Sequence, residues 1–145
     1  MPTSYSDIYR RAIFRFKDDR FVCMNDADID EVLRAFLNSA LSDFEPLCQI
    51  DLSDRDEDAA QFNQELDNEC MEILSAGIAY YWLSAQLFNK ELLQNRLSTK
   101  DYTYFSPANL LRESQTMRNE ARKEYRDLIT KYTYRHGDIA GINAT

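Results

Sequence analysis

Apolar side chains recur along this chain at helical spacing in three separate stretches. Tyr5, Ile8, Tyr9, Ala12, Ile13 and Phe16 fall at i, i+3, i+4, i+7, i+8 and i+11, and Arg10, Arg11, Arg15 and Lys17 lie mostly off that stripe. This predicts an amphipathic helix over residues 4–17. Ser4 and Asp7 have the spacing of a capping box at its start. Ile29, Val32, Leu33, Phe36, Leu37, Ala40, Leu41 and Phe44 form a fuller stripe, predicting a second helix over 26–44. Asn25 is its expected N-cap, Met24 and Ile29 its hydrophobic staple, and Pro46 its stop. Leu110, Leu111, Ser114, Met117, Ala121, Tyr125, Leu128, Ile129 and Tyr132 predict a last helix over 106–135, about 42 Å long at about 1.5 Å per residue. Ser106 is its expected N-cap, Pro107 its first residue and Phe105 the staple to Leu110, while His136 and Gly137 suit its end.

The intervening segments follow other rules. Ile73 to Asn89 contains no charged residue and places apolar groups on nearly every side, as a helix does when other elements surround it. A central helix over 68–93 is expected, with Gly77 permitting a close helix crossing. The charge-free run is shorter than the roughly 20 apolar residues that span a bilayer, and it contains Ser75, Ser84 and Gln86, so a membrane span is rejected. Residues 45–67 lose periodicity, apart from a short extended stretch around 60–64. They are expected to lie over the surface as a long connection with a role of its own. Residues 95–105 form a polar and aromatic connection. The chain therefore predicts a single all-α domain over residues 1–145. It would be a four-helix bundle-like subunit with a long C-terminal helix, a long acidic loop and an extended C-terminal tail over 136–145. The last helix exceeds what such a bundle requires, so part of its stripe is expected to pack against a partner subunit.

With 44% hydrophobic and 29% charged residues but only three Gly and three Pro, disorder and a turn-rich all-β fold are both excluded. The formal charge of −8 is local. Nine acids between Asp51 and Glu72 face Arg55 alone, and the rest of the chain is balanced. That argues against a nucleic-acid coat and against a polybasic membrane binder. Cys23, Cys48 and Cys70 are widely spaced with no CxxC, and no signal peptide is recognised, so reduced thiols in a chain folded in a cytosol are expected.

Catalytic patterns are hard to find. Asp51, Asp54, Asp56 and Asp58 are hard oxygen ligands. Counted from Asp51, however, an EF-hand would need Gly at the position of Asp56 and Glu at that of Phe62. Asp54, Asp56, Glu57 and Asp58 read instead as a solvated acidic loop or a patch facing a partner, and no metal is expected. The single His136 stands at a helix end, which suits a cap or a partner contact better than a catalytic base. No zinc-ligand spacing and no glycine-rich phosphate loop occurs. The chain is therefore expected to have no cofactor and not to be an enzyme. Arg118, Arg122, Lys123, Arg126, Lys131 and Arg135 interleave with Glu113, Glu120, Glu124 and Asp127, favouring i,i+4 pairing over a phosphate track. Tyr102, Tyr104 and Phe105, and Tyr125, Tyr132 and Tyr134, are either interface anchors or covers for the bundle ends. Ile139 and Ile142 have no obvious core to enter, which points to docking on another chain.

The opening MPTSYSDIYRRAIFRFKD, the stretch DLSDRDEDAAQFNQEL, the segment LSTKDYTYFSPANLL and the ending YTYRHGDI together resemble the head–tail connector (neck) adaptor proteins of tailed bacteriophages. The resemblance implies a helical subunit repeated around an axis, commonly as a dodecamer. Such a homo-oligomeric ring lies below the portal protein and joins it to a downstream neck or tail protein, while DNA passes through the lumen without sequence-specific binding. It further implies a place in the virion neck, after synthesis and assembly in the host cytoplasm, with no membrane partner. Adaptors of this kind commonly dock a C-terminal helix or tail against the portal, which makes Tyr132, Tyr134, Arg135, His136, Ile139 and Ile142 candidate docking residues. Tyr102, Tyr104 and Phe105 are candidates for the contact between subunits. Asp51 to Glu72 would face either the lumen, repelling phosphates so that the genome slides, or a basic neighbouring subunit. The alternative is a cytosolic assembly chaperone that binds capsid or tail subunits and is absent from the virion.

Overall fold

In a computed structural model of the chain, the described residues are 2–16, 21, 24–96 and 107–136. Each apolar stripe has become a helix: α1 is Tyr5–Phe16, α2 is Asp26–Phe44, α3 is Asn68–Arg96 and α4 is Pro107–His136. The caps follow the local chemistry. Ser4 Oγ accepts from the Ser6 N–H at the start of α1, while Asp7 lies 3.9 Å from Arg10. Asn25 Oδ1 accepts from the Asp28 N–H, 2.8 Å away, at the start of α2. Pro46 stands in the short 3₁₀ turn, Glu45–Leu47, on which α2 ends. Pro107 opens α4, as expected; its N-cap Ser106 and the staple residue Phe105 lie outside the described residues, as do Gly137 and the tail beyond it.

α3 is the central helix and contacts all three of the others. Ile73, Leu74, Ser75, Ala76, Ile78 and Ala79 are all buried, which accounts for a segment that is apolar on every side. Its Trp82 stacks on Phe16 at 4.3 Å, with Phe21 edge-on to both rings. α4 runs antiparallel to α3. Arg135 and His136 meet Glu69, Tyr125 meets Gly77, and Met117 shares a cleft with Leu83.

The acidic connection departs from its expected surface course. Leu52, Phe62 and Leu66 are buried in the same core as the helices. Arg55–Asp56 and Gln61–Phe62 form strands β2 and β3, and Thr3–Ser4 forms β1. These make a three-stranded antiparallel sheet in the order β1-β3-β2, with Thr3 opposite Phe62 and Arg55 opposite Phe62 on the other side. The Tyr5 N–H donates to Ala60 O at 2.9 Å, and the Leu66 N–H donates to Thr3 Oγ1 at 2.9 Å. The expected extended stretch around 60–64 contains β3, Gln61–Phe62, whereas no local pattern predicts its pairing with the N-terminus. Two-residue strands carry too little alternation to read.

Candidate functional site

The last turns of α4 hold four of the expected docking residues, and the fold divides them. Tyr132 is 2% exposed. Its ring meets Phe44 edge-on at 5.0 Å and lies 4.6 Å from the His136 ring. Its hydroxyl accepts from the Gln49 N–H at 2.9 Å and donates toward Cys48 Sγ at 3.7 Å. Burial pushes that hydroxyl well above its ordinary pKa. The expectation that Tyr132 offers its ring to a partner is thus corrected: it fastens α4 to the end of α2. It sits one helical turn before His136, and that phase points inward.

Arg135 and His136 both reach Glu69 in the first turn of α3. The Arg135–Glu69 pair is doubly favoured, with a cation at a helix C-terminus and a carboxylate at a helix N-terminus. The side chain of Gln49 adds a donor to the His136 carbonyl. Both residues thus have partners within their own chain, although the Arg135 side chain keeps 66% of its surface exposed. Tyr134 is on the opposite face and is 74% exposed, beside a shallow groove shared with Thr130, Lys131 and Arg135. Of the four, Tyr134 has the free ring. Ile139 and Ile142, and the expected subunit-contact residues Tyr102, Tyr104 and Phe105, lie outside the described residues.

Asp54, Asp56, Glu57 and Asp58 are all exposed on the connection, yet three of them also shape it. Asp54 Oδ1 accepts from Asn63 Nδ2 at 2.9 Å, and Asp56 Oδ1 accepts from the Ala59 N–H at 3.0 Å. Glu57 is bound by Arg55 at 2.8 Å and by Arg34 at 3.3 Å. Burial, followed by the Glu57 charge, pushes the neighbouring Tyr5 hydroxyl up to about 12. Asp54 and Asp56 fold the turn through one oxygen each, whereas both oxygens of Glu57 are taken up by Arg55 and Arg34. Among the described residues, no three His, Cys, Asp or Glu side chains group as metal ligands would, and no helix is long and apolar enough to cross a membrane.

Two features escaped the sequence reading. Phe14 is 81% exposed and Phe88 is 59% exposed. Phe14 falls off the α1 stripe, a phase that could have flagged it. Phe88 is hidden in a segment apolar on all sides, where no phase distinguishes it. Near Phe14 in sequence, Arg15 crosses from α1 to Glu72 and Ser75 on α3 and to Glu124 on α4. A cleft of about 130 Å³ separates these three helices, with Arg15 and Glu124 among its polar walls and Leu83 and Met117 among its apolar ones. Known proteins provide no match for this chain as a family model, a curated protein or a solved structure.

Proposed function

We propose that this chain is a structural ring subunit, a head–tail connector adaptor of a tailed phage. It would bind the portal on one side and a neck or tail protein on the other, around the DNA channel. The observation that supports this reading is the state of α4. At thirty residues it is about 45 Å long, yet none of residues 112–124 is buried, and its buried side chains among the described residues are Tyr125 and Tyr132. Met117, on the apolar stripe, is 46% exposed, and Phe88 on the antiparallel α3 is 59% exposed. A helix that leaves its own core in this way presents surface to a neighbour. A closed ring requires two different faces on each subunit, which the half-exposed Met117 face of α4 and the Tyr134 face would supply. The exposed carboxylates of Asp54, Asp56 and Asp58 suit a surface that repels DNA phosphates.

Co-expression with the cognate portal tests the reading. The adaptor is expected to co-sediment with portal rings and to be found in purified particles at a fixed copy number relative to portal. Presence in lysates with absence from particles would assign the chain to the assembly chaperones instead, and failure to bind portal or capsids would remove the adaptor reading.

A further inference from the structure

The two described cysteines were scattered in the sequence and are neighbours in the fold. Cys48 follows the 3₁₀ turn at the end of α2, and Cys70 stands in the first turn of α3. Their Sγ atoms are 3.6 Å apart, in hydrogen-bond contact. Cys70 is buried and Cys48 is partly exposed, so Cys48 is the member nearer to solvent. The two positions also mark the two ends of the acidic connection. The backbone holds both members: the Cys70 N–H donates to the helix-capping Asp67 Oδ1 at 2.8 Å, and the Cys48 N–H, just outside a helix, donates to the Phe44 carbonyl at 3.0 Å.

We propose that Cys48 and Cys70 are a peroxide-responsive dithiol whose oxidation to a disulfide ties together the two ends of the acidic connection, beside the Tyr132 anchor of α4. This inference stands independently of the adaptor reading.

The chemistry assigns different roles to the two sulfurs. The hydrogen bond from Cys70 outweighs burial and, with the Tyr132 hydroxyl and the Ile50 N–H, lowers Cys48 from its ordinary 9.0 to about 7. The nearby Asp67 opposes this shift. The same hydrogen bond, then burial, then Asp67 push Cys70 upward. Cys48 is therefore the thiolate nucleophile and Cys70 the resolving thiol. In the first step the Cys48 thiolate attacks a peroxide oxygen. The O–O bond breaks, an S–O bond forms, and hydroxide leaves and takes the Cys70 proton to become water. In the second step the Cys70 thiolate attacks Cys48 Sγ, the S–S bond forms and the S–O bond breaks. The departing hydroxide takes up the proton that Cys48 released to solvent. Two thiols lose two electrons, and hydrogen peroxide is reduced to two waters.

Cys23 lies outside the described residues, so the test uses the full chain carrying Cys23→Ser, treated with hydrogen peroxide and mapped by non-reducing peptide mass spectrometry. The expected product is a monomer lighter by two hydrogens, with the Cys48 and Cys70 peptides joined and separable again by reductant. In the added Cys70→Ser variant, Cys48 is expected to accumulate as a sulfenic acid that dimedone traps. In the added Cys48→Ser variant, Cys70 is expected to resist peroxide. Retention of both free thiols overturns the proposal. So does overoxidation of Cys48 without the cross-link, or cross-linking confined to pairs of molecules.

Discussion

A Cβ atom placed on Gly77 would lie 2.6 Å from the Ala40 Cβ and 2.9 Å from the Tyr125 ring. α2 and α4 therefore converge on α3 at the one residue with no side chain to hold them apart. Alanine would ordinarily stabilise a helix interior by about 1 kcal/mol relative to glycine. Here the methyl group meets the Cβ of a neighbouring helix, and overpacking of this kind costs about 1–3 kcal/mol. Gly77→Ala is expected to lower unfolding free energy by up to about 2 kcal/mol in a urea titration, and increased stability would show that the crossing can widen freely. The reason for Gly77 was legible in the sequence, since a lone glycine inside an uninterrupted apolar helix needs a packing explanation. The role of Tyr132 was not. An aromatic residue late in a long helix reads equally as anchor or cover, and only the positions of Gln49 and Phe44 place it inside. The cysteine pair was equally hidden. Cys48 and Cys70 are 22 positions apart, and the path between them depends on how the acidic connection folds.

At the scale of elements, the helices were legible because α1 and α2 each bury a continuous stripe, α3 contains a long charge-free run, and α2 begins and ends where its cap and proline require. The sheet was not legible, because its three strands become strands only by meeting one another across the fold. Much of the fastening between helices is likewise polar and nonlocal. Glu72 on α3 receives both Arg11 and Arg15 from α1, and Arg15 also binds Glu124 on α4. Burial raises the Glu72 carboxyl, but the hydrogen bonds and charges of Arg15 and Arg11 prevail and hold it below its ordinary 4.5. A carboxyl lowered in this way binds its proton more readily when the chain is unfolded. Its contribution is therefore complete above pH 4.5 and is lost as pH falls through the folded-state value. Glu72→Gln is expected to destabilise the protein at pH 7, by about 1 kcal/mol or less after solvent screening. The difference from the parent should shrink as pH falls below 4.5. A difference independent of pH between 7 and 3 in paired thermal melts, on a scale where one pKa unit is about 1.4 kcal/mol, would assign the effect to shape rather than charge.

At the scale of the whole molecule, stability and assembly should separate. The core gathers α1, α2, the first part of α3, the sheet and the last turns of α4 around Leu33, Leu37, Phe44, Ile73 and Ile78. Phe88 and Met117 are outside it, exposed by 59% and 46%. Exposed positions of this kind usually change folding free energy by no more than about 0.5 kcal/mol when substituted. Apolar groups at an interface, by contrast, can each be worth about 1 kcal/mol or more in binding, and a closed ring repeats the loss at every contact. The double variant Phe88→Gln, Met117→Gln is therefore expected to keep the circular dichroism spectrum and melting temperature of the parent while losing ring formation on portal, read by sedimentation and negative-stain images. Tyr134→Ser, on the other face, should likewise leave folding intact, because that ring is 74% exposed. Each contact of a closed ring joins the two faces, so this variant too is expected to lose ring formation on portal. A double variant that melts normally and still forms complete rings would place the subunit contact elsewhere and leave residues 112–124 of α4, none of them buried, without their proposed neighbour.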